Sequence, residues 1–356
     1  MRQPVQQKSF KGLFGSVLAA AVLAVGAQPA VGADVDRFNG MLEPIKAEKP
    51  FTMGVTLVHL QDDFWKGIAY GILDEAKLSG VEVTQVAVAG AYGNVREQFA
   101  QLDAMRTRGV DFAVVGPASF DGYDSVFRQL REAGTNVLAA GIPVNSANVT
   151  FGVGQDEAAI GAGLAKVVCE MNPDATVAPI AGPAGAEWAR LRYEAFKAQA
   201  ETCNGMTVQP ATYGGALDLA YGMSQASDLL LRSDDVDVIY TPVIPLGMGA
   251  AQAVRQQRKD TKVVSSAIVR EAIPMIKDGR LAAVASEPGI LIGRLIVQYA
   301  IREHEGKELP HMVKDDSLPY PNAIVPSPVI TPENVDTYPF EVYDLPPQGW
   351  SITSAQ

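Results

Sequence analysis

The stretch "FTMGVTLVHLQDDFWKGIAYGILDEAKLSG" (51–80) reads as one strand running into one helix. Residues 51–60 are rich in apolar and β-forming types. From residue 62 the period changes. Trp65, Ile68, Ile72 and Ala76 recur on one helical face, and Gly80 supplies a stop. A strand that feeds a helix is half of a βαβ unit, so the fold turns on whether the pair repeats.

It repeats along the chain. "VEVTQVAV" (81–88) is the next strand. "NVRE" (94–97) has the form of an N-cap with Glu97 three residues on, and Phe99, Leu102 and Met105 carry an apolar face to Gly109. "VDFAVVG" (110–116) is a continuous apolar run, the mark of a strand covered on both faces. A third helix spans about 123–133, and "NVLAAGIPV" (136–144) closes this half. The second half has the same plan. A helix capped by Asp156 leads to the strand "TVAPIAG" (176–182), then to the loop and helix "GPAGAEWARLRYEAF" (182–196). "MTVQPATYGG" (206–215) is strand-like, and a helix over 218–232 precedes the strands "VDVIYTP" (236–242) and "KVVSSAI" (262–268). Residues 269–310 hold a helix, a short strand and a long helix. "NAIVPSPVITPENV" (322–335) is an edge strand or a crossover, because its prolines are excluded from a central ladder.

This alternation predicts an α/β fold of two Rossmann-like lobes, each a parallel sheet with helices on both faces. The expected first lobe is 34–145 with 288–325. The second is 146–287 with 326–356 as its tail. The joining strands are expected near Asn145, Glu287 and Val325. Open α/β sheets bind ligands beyond the carboxyl ends of their strands, so two facing lobes place both sets of loops around one cleft. Such lobes close by a hinge.

Composition narrows the function. Arg2, Lys8 and Lys11 precede the apolar stretch "LFGSVLAAAVLAV" (13–25), and small residues at Val31 and Ala33 suit cleavage after Ala33. A secretory signal over 1–33 is expected, and a periplasmic protein with it. Its loss removes three cations and no anions, moving the formal charge from −11 to −14. So acidic a chain is a poor partner for nucleic acid. In an exported chain Cys169 and Cys203 can pair, since both fall at one edge of a helix–strand–helix unit; two buried free thiols are the alternative. No catalytic constellation stands out. His59, His304 and His311 are scattered without metal spacing, and "GVGQDEAAIGAG" (152–163) lacks the G-x-G-x-x-G order. No cofactor is expected, and a secreted hydrolase is a remote alternative. The acid pairs Asp62–Asp63, Asp234–Asp235 and Asp315–Asp316 read as caps and solvated turns.

The order of elements resembles the type I periplasmic binding proteins, the sugar-binding group with its sensory and repressor relatives. Four stretches carry the resemblance between Phe51 and Val335: "DDFWKGIAYGILDEAKLSGVEV", "RTRGVDFAVVGPAS", "GPAGAEWARLRYEAF" and "IKDGRLAAVASEPGILIGRLIVQYAI". The "FW" after strand one, "AGAYG" (89–93) and "YDLPPQGW" (343–350) resemble the subgroup that serves trimethylamine N-oxide sensing. The resemblance implies a small-molecule ligand. It also implies a membrane partner, either an ABC permease or a sensor histidine kinase.

It also implies a set of ligand-binding residues. Asp62 and Phe64 follow the first strand, with Trp65 open to either a ligand role or a core role. Tyr92 lies between glycines after strand two, and Ser119 follows strand three. Arg190 takes the place where sugar-binding relatives hold an arginine against the ligand. Arg192, two residues on, is read as facing elsewhere, on the surface or in a structural pair. Glu287 stands where a polar hinge residue is expected. Sugar binders carry Asn or Asp where this chain has Val243 and Ala267, and "AGIPVN" (140–145) lacks their Asp-Arg pair. Buried sugar hydroxyls without partners are costly. The cleft is therefore expected to take a compact solute with an apolar body, such as a small methylated amine or N-oxide. A sugar-binding protein of an ABC importer is the alternative.

Overall fold

In the computed structural model, which describes residues 35–211, 213–314 and 318–352, the chain builds one βα half and then another. The expected signal segment and the Asp315–Asp316 pair lie outside the described residues. The first half runs β1 (Thr52–Leu57), α1 (Asp63–Ser79), β2 (Glu82–Val88), α2 (Val95–Arg108), β3 (Phe112–Val115), α3 (Asp124–Glu132), β4 (Asn136–Gly141) and β5 (Phe151–Gln155). The second runs α4 (Glu157–Met171), β6 (Thr176–Pro179), α5 (Glu187–Ala200), β7 (Thr207–Val208), α6 (Leu219–Arg232), β8 (Val238–Tyr240), α7 (Ile244–Gln257), β9 (Lys262–Ser266), α8 (Ile273–Lys277) and β10 (Ala283–Ala285). The chain then returns through α9 (Gly289–Glu305), β11 (Met312–Val313) and β12 (Asn322–Val325), and ends in β13 (Val329–Ile330) and α10 (Phe340–Tyr343).

Among the described residues two sheets form, in the orders β11-β12-β5-β4-β3-β1-β2 and β13-β10-β9-β8-β6-β7. All pairings are parallel except β11 with β12 and β13 with β10, both at sheet edges. Each sheet is buried on both faces, which explains the unbroken apolar runs. In β3, Phe112 and Val114 enter the core beneath α1 and α9, while Ala113 and Val115 enter the one beneath α2 and α3. In β8, Ile239 faces one core and Val238 and Tyr240 the other. Burying each such Val, Ile or Phe contributes about 1.5–3 kcal/mol, and the sum opposes the entropy of ordering the chain.

Caps fix where the helices begin. Asp62 accepts the Trp65 N–H at 2.9 Å, Asp156 that of Ala159 at 2.9 Å, and Asp218 that of Tyr221 at 2.7 Å. Each is worth about 1 kcal/mol. Gly80 ends α1 at φ 76°, where a side chain would be strained. Asn94 behaves differently from the expected capping box. Its amide donates back to the Ala89 carbonyl at 2.5 Å, and Glu97 accepts from Gln101 instead.

The chain crosses between the sheets three times, through Gln155–Glu157, Ser286–Pro288 and Pro326–Pro328. Glu287 lies in the second crossing, and Val325 ends the strand before the third. The first is not at Asn145, which lies in a loop of the first lobe with its amide bonded to Asp121; β5 pairs with β4 and β12. The first-lobe sheet therefore extends to Gln155 instead of ending at 145. Two glycines hid β5, since Gly152 and Gly154 dilute its β propensity. The fold needs the second of them bare, because a Cβ there would lie 3.0 Å from the Gly141 carbonyl oxygen. The "VPSPV" segment is both edge strand and crossover, giving β12 to one sheet and β13 to the other with the prolines between them.

Cys169, in α4, and Cys203, just after α5, are joined as a disulfide with their Cα atoms 5.9 Å apart. It ties together the ends of the helices that cover one face of the second sheet.

Candidate functional site

The strand ends of both sheets face one cavity of about 420 Å³. From the first lobe come the β1–α1 loop with Asp62, the first turn of α1 with Phe64 and Trp65, and the β2–α2 loop with Tyr92. From the second lobe come Trp188 and Arg192 of α5, Asp218 before α6, Val243 before α7 and Ala267 after β9. Glu287 contributes from the second crossover. The volume suits a small solute. A side cavity of about 370 Å³ shares Tyr92 and Trp188 with it, and Ser119 lines that side cavity and not the main one.

The aromatic residues divide their roles. Phe64 is 8% exposed at the cavity wall. Trp65 is fully buried, its indole against Gly116, where a Cβ would collide with the ring. Its Nε1 donates to the Tyr92 hydroxyl at 3.1 Å. Trp65 thus serves the core and holds Tyr92 in position. Tyr92 in turn meets Trp188 across the cleft, with ring centroids 6.4 Å apart. Tyr92 as a whole is 37% exposed, but its hydroxyl is turned in against Trp65, and desolvation there raises the phenol well above its ordinary range, so it stays protonated.

The two arginines of α5 face opposite ways: Arg190, expected at the ligand, turns outward, and Arg192 turns inward into a structural pair. Arg190 lies on the solvent face, 43% exposed, in ion pairs with Glu187 and Glu194. It does not line the cavity. Arg192 is 2% exposed and lines it. Its Nε donates to Glu157, and its Nη1 donates to Glu287, to Ser266 Oγ at 2.6 Å and to the Pro242 carbonyl at 2.9 Å. The guanidinium also sits 5.0 Å from the Trp188 ring centroid, within cation–π range. Nη2 has no acceptor among the described residues.

Helical spacing explains the two orientations. Glu187, Arg190 and Glu194 follow at i, i+3 and i+7, a self-satisfied outer face. Trp188, Arg192 and Phe196 follow at i, i+4 and i+8, the inner face. That pattern is present in the sequence, and it runs against the placement of Arg190 that the resemblance implied. The partners come from far away: Glu157 heads α4, and Gly161 one turn later lets α5 lie directly on α4. A Cβ on Gly161 would stand 2.7 Å from the Arg192 carbonyl carbon.

The cluster around Arg192 spans the hinge. Gln155, the last residue of β5, donates to Glu287 at 3.0 Å and to Glu157 at 3.3 Å. Two crossovers and the cleft wall therefore share one hydrogen-bonded group. Burial pushes the Glu157 carboxyl above its ordinary range, the Arg192 charge opposes this, and Glu287 adds to it. Asp62 is raised to about 6, first by burial, against the pull of its Trp65 N–H and with a further push from Glu287. Its side chain remains 39% exposed, so solvent still screens it.

Of the expected residues, the fold brings Asp62, Phe64, Trp65, Tyr92 and Glu287 together in one cavity, sets Ser119 beside it and leaves Arg190 outside. Reading the sequence missed Arg192, Trp188, Glu157 and Asp218 as parts of the site. Val243 and Ala267 do line the cavity, so its second-lobe wall is apolar where polar residues were looked for. Among the described residues no group of three or more His, Cys, Asp or Glu could hold a metal, and no helix is long and apolar enough to cross a membrane.

Comparison with known proteins agrees with this architecture. Residues 53–308 match the family model of the periplasmic binding protein domain. A solved structure described as a sugar ABC transport system substrate-binding protein, from Bordetella parapertussis, superposes with a TM-score of 0.86 at 54% identity, covering 89% of this chain and 100% of that one. The ribose import binding protein RbsB of Bacillus subtilis is 24% identical over 74% of this chain and 84% of its own. The periplasmic protein TorT of Escherichia coli is also 24% identical, over 82% of this chain and 81% of its own. The likeness is therefore to periplasmic binding proteins at large, several of them named for sugars, and does not single out TorT. That family match makes the role of this chain periplasmic solute binding, not catalysis.

Proposed function

Because the chain belongs to the periplasmic binding protein domain family, we propose that it captures a small, sugar-like solute between its lobes and delivers it to an ABC-type permease. The observation that carries this reading is the cavity at the strand ends of both sheets, with Arg192 fixed in its wall by Glu157 and Glu287. Aromatic faces at Phe64, Tyr92 and Trp188 stack on an apolar ring face. Arg192 Nη2 and the free carboxylate oxygens of Asp62 and Asp218 meet hydroxyls. The moving bodies are the two lobes built on the two sheets, turning on the three crossovers, with the last helix touching both: Tyr343 packs in the core of the first lobe, Phe340 and Leu345 in that of the second. A solute that contacts both bodies binds the closed form more tightly, and that difference drives closure.

A second reading is favoured by the apolar wall at Val243 and Ala267, which withholds hydrogen bonds that a sugar would use. In it the protein holds a methylated amine or N-oxide and signals to a sensor histidine kinase, as the likeness to TorT suggests. A thermal-shift screen of the purified mature protein against pentoses, hexoses, polyols, amino acids and methylated amines separates the two. Stabilisation by a sugar or polyol supports uptake. Stabilisation by trimethylamine N-oxide alone overturns the sugar reading in favour of the second.

A further inference from the structure

The charges around the cavity do not cancel, and the excess has a position. Asp62, Asp63, Asp218 and Glu287 line it against the single guanidinium of Arg192. Glu287 is engaged on both oxygens, by Arg192 and by Gln155. Arg192 is already shared with Glu157 behind it. Asp63 has Lys66 at 3.8 Å. That leaves Asp62 and Asp218 without a cation. The nearest basic group is His59, 3.8 Å from Asp62, and burial holds its imidazole below the ordinary range, hence neutral at pH 7. Each aspartate spends Oδ1 on capping its own helix and keeps Oδ2 unbonded among the described residues. One belongs to the first lobe and one to the second.

We infer that the cleft selects a polyhydroxylated solute carrying a protonated nitrogen, an amino sugar or aminated polyol, held between Asp62 and Asp218. The inference rests on the proposed solute-binding role and adds the charge of the ligand. A cation fills the gap between two like charges that closure would otherwise bring together at a cost. The faces of Tyr92 and Trp188 favour the same charge. A carboxylate or phosphate ester would meet both aspartates, and Arg192, already paired twice, offers it little.

Three matched probes test this by calorimetry at pH 7.5 and low salt: D-glucosamine, D-glucose and D-gluconate, with N-methylglucamine and sorbitol as an acyclic pair. The amine of each set is expected to bind at least about tenfold more tightly than its neutral partner, and gluconate not to bind. Asp62→Asn and Asp218→Asn keep a capping oxygen and so should stay folded, as circular dichroism would check. Each should narrow the amine-to-neutral ratio by about tenfold. Binding of the neutral members alone, or of gluconate, overturns the inference while leaving the sugar-binding role standing. Absence of binding by every probe overturns the inference, and the sugar-binding role falls with it only where the thermal-shift screen also finds no sugar or polyol. An amine preference that survives both substitutions overturns the assignment to these aspartates.

Discussion

The Arg192 guanidinium donates to the Glu287 carboxylate, joining a helix of the second lobe to the second interlobe crossover. Through Gln155 the same carboxylate reaches the first crossover. The cleft wall and two crossovers therefore meet at one side chain.

Arg192 and Arg190 should respond in opposite ways to substitution. Arg192→Ala leaves Glu157 and Glu287 buried without a counter-charge, at a cost of about 3–5 kcal/mol. Arg190→Ala breaks only exposed pairs and should stay within about 1 kcal/mol. Urea denaturation measures both. Equal effects would show that Arg192 is not held as described. Where Arg192→Ala still folds, its affinity for any cleft ligand should fall at least tenfold, and that of Arg190→Ala should not.

Gly161→Ala should act at a distance. The added methyl meets the Arg192 backbone in a packed helix pair, which costs about 1–3 kcal/mol. It should also weaken ligand binding by displacing Arg192. Greater stability, the usual result of Gly→Ala inside a helix, would contradict the close α4–α5 contact.

The Cys169–Cys203 link closes a loop of 34 residues. In the chain-entropy account such a loop is worth about 3–4 kcal/mol. The double Ser variant should lose about that much in denaturant titration, and reductant should lower the midpoint of the wild type but not of the variant.

Asp344 gives a pH signature. It is 1% exposed, and burial raises its carboxyl to about 7, against hydrogen bonds from Ser286 and Tyr338 at 2.7 and 2.8 Å. A folded value above the unfolded one, 3.8, means the folded state holds this proton more tightly. Its contribution to stability is therefore present below about pH 4 and is lost as pH rises to about 7. Asp344→Asn should flatten the fall in melting temperature across that window. An unchanged slope would assign the fall to other groups.

The local grammar of the fold was legible in the sequence. Asp62 and Asp156 announced their helices, because a cap is satisfied within three residues of itself. Gly80 announced an end, and the apolar period of 110–116 announced a strand buried on both faces. From these came two α/β lobes and most of the first-lobe cleft wall. Strand β5 was not legible, because Gly152 answers to Tyr320 and Asn322, which lie far off in the chain. The choice between Arg190 and Arg192 was not settled either. Both sit in one helix, and either could have turned inward. Packing of α5 on α4 through Gly161, with Glu157 and Glu287 arriving from two crossovers, decided it. Sequence fixes what a residue can offer and how it repeats along its own helix. Which of two equivalent charges is buried depends on the partners that tertiary contacts bring, since a buried charge persists only where it is paired.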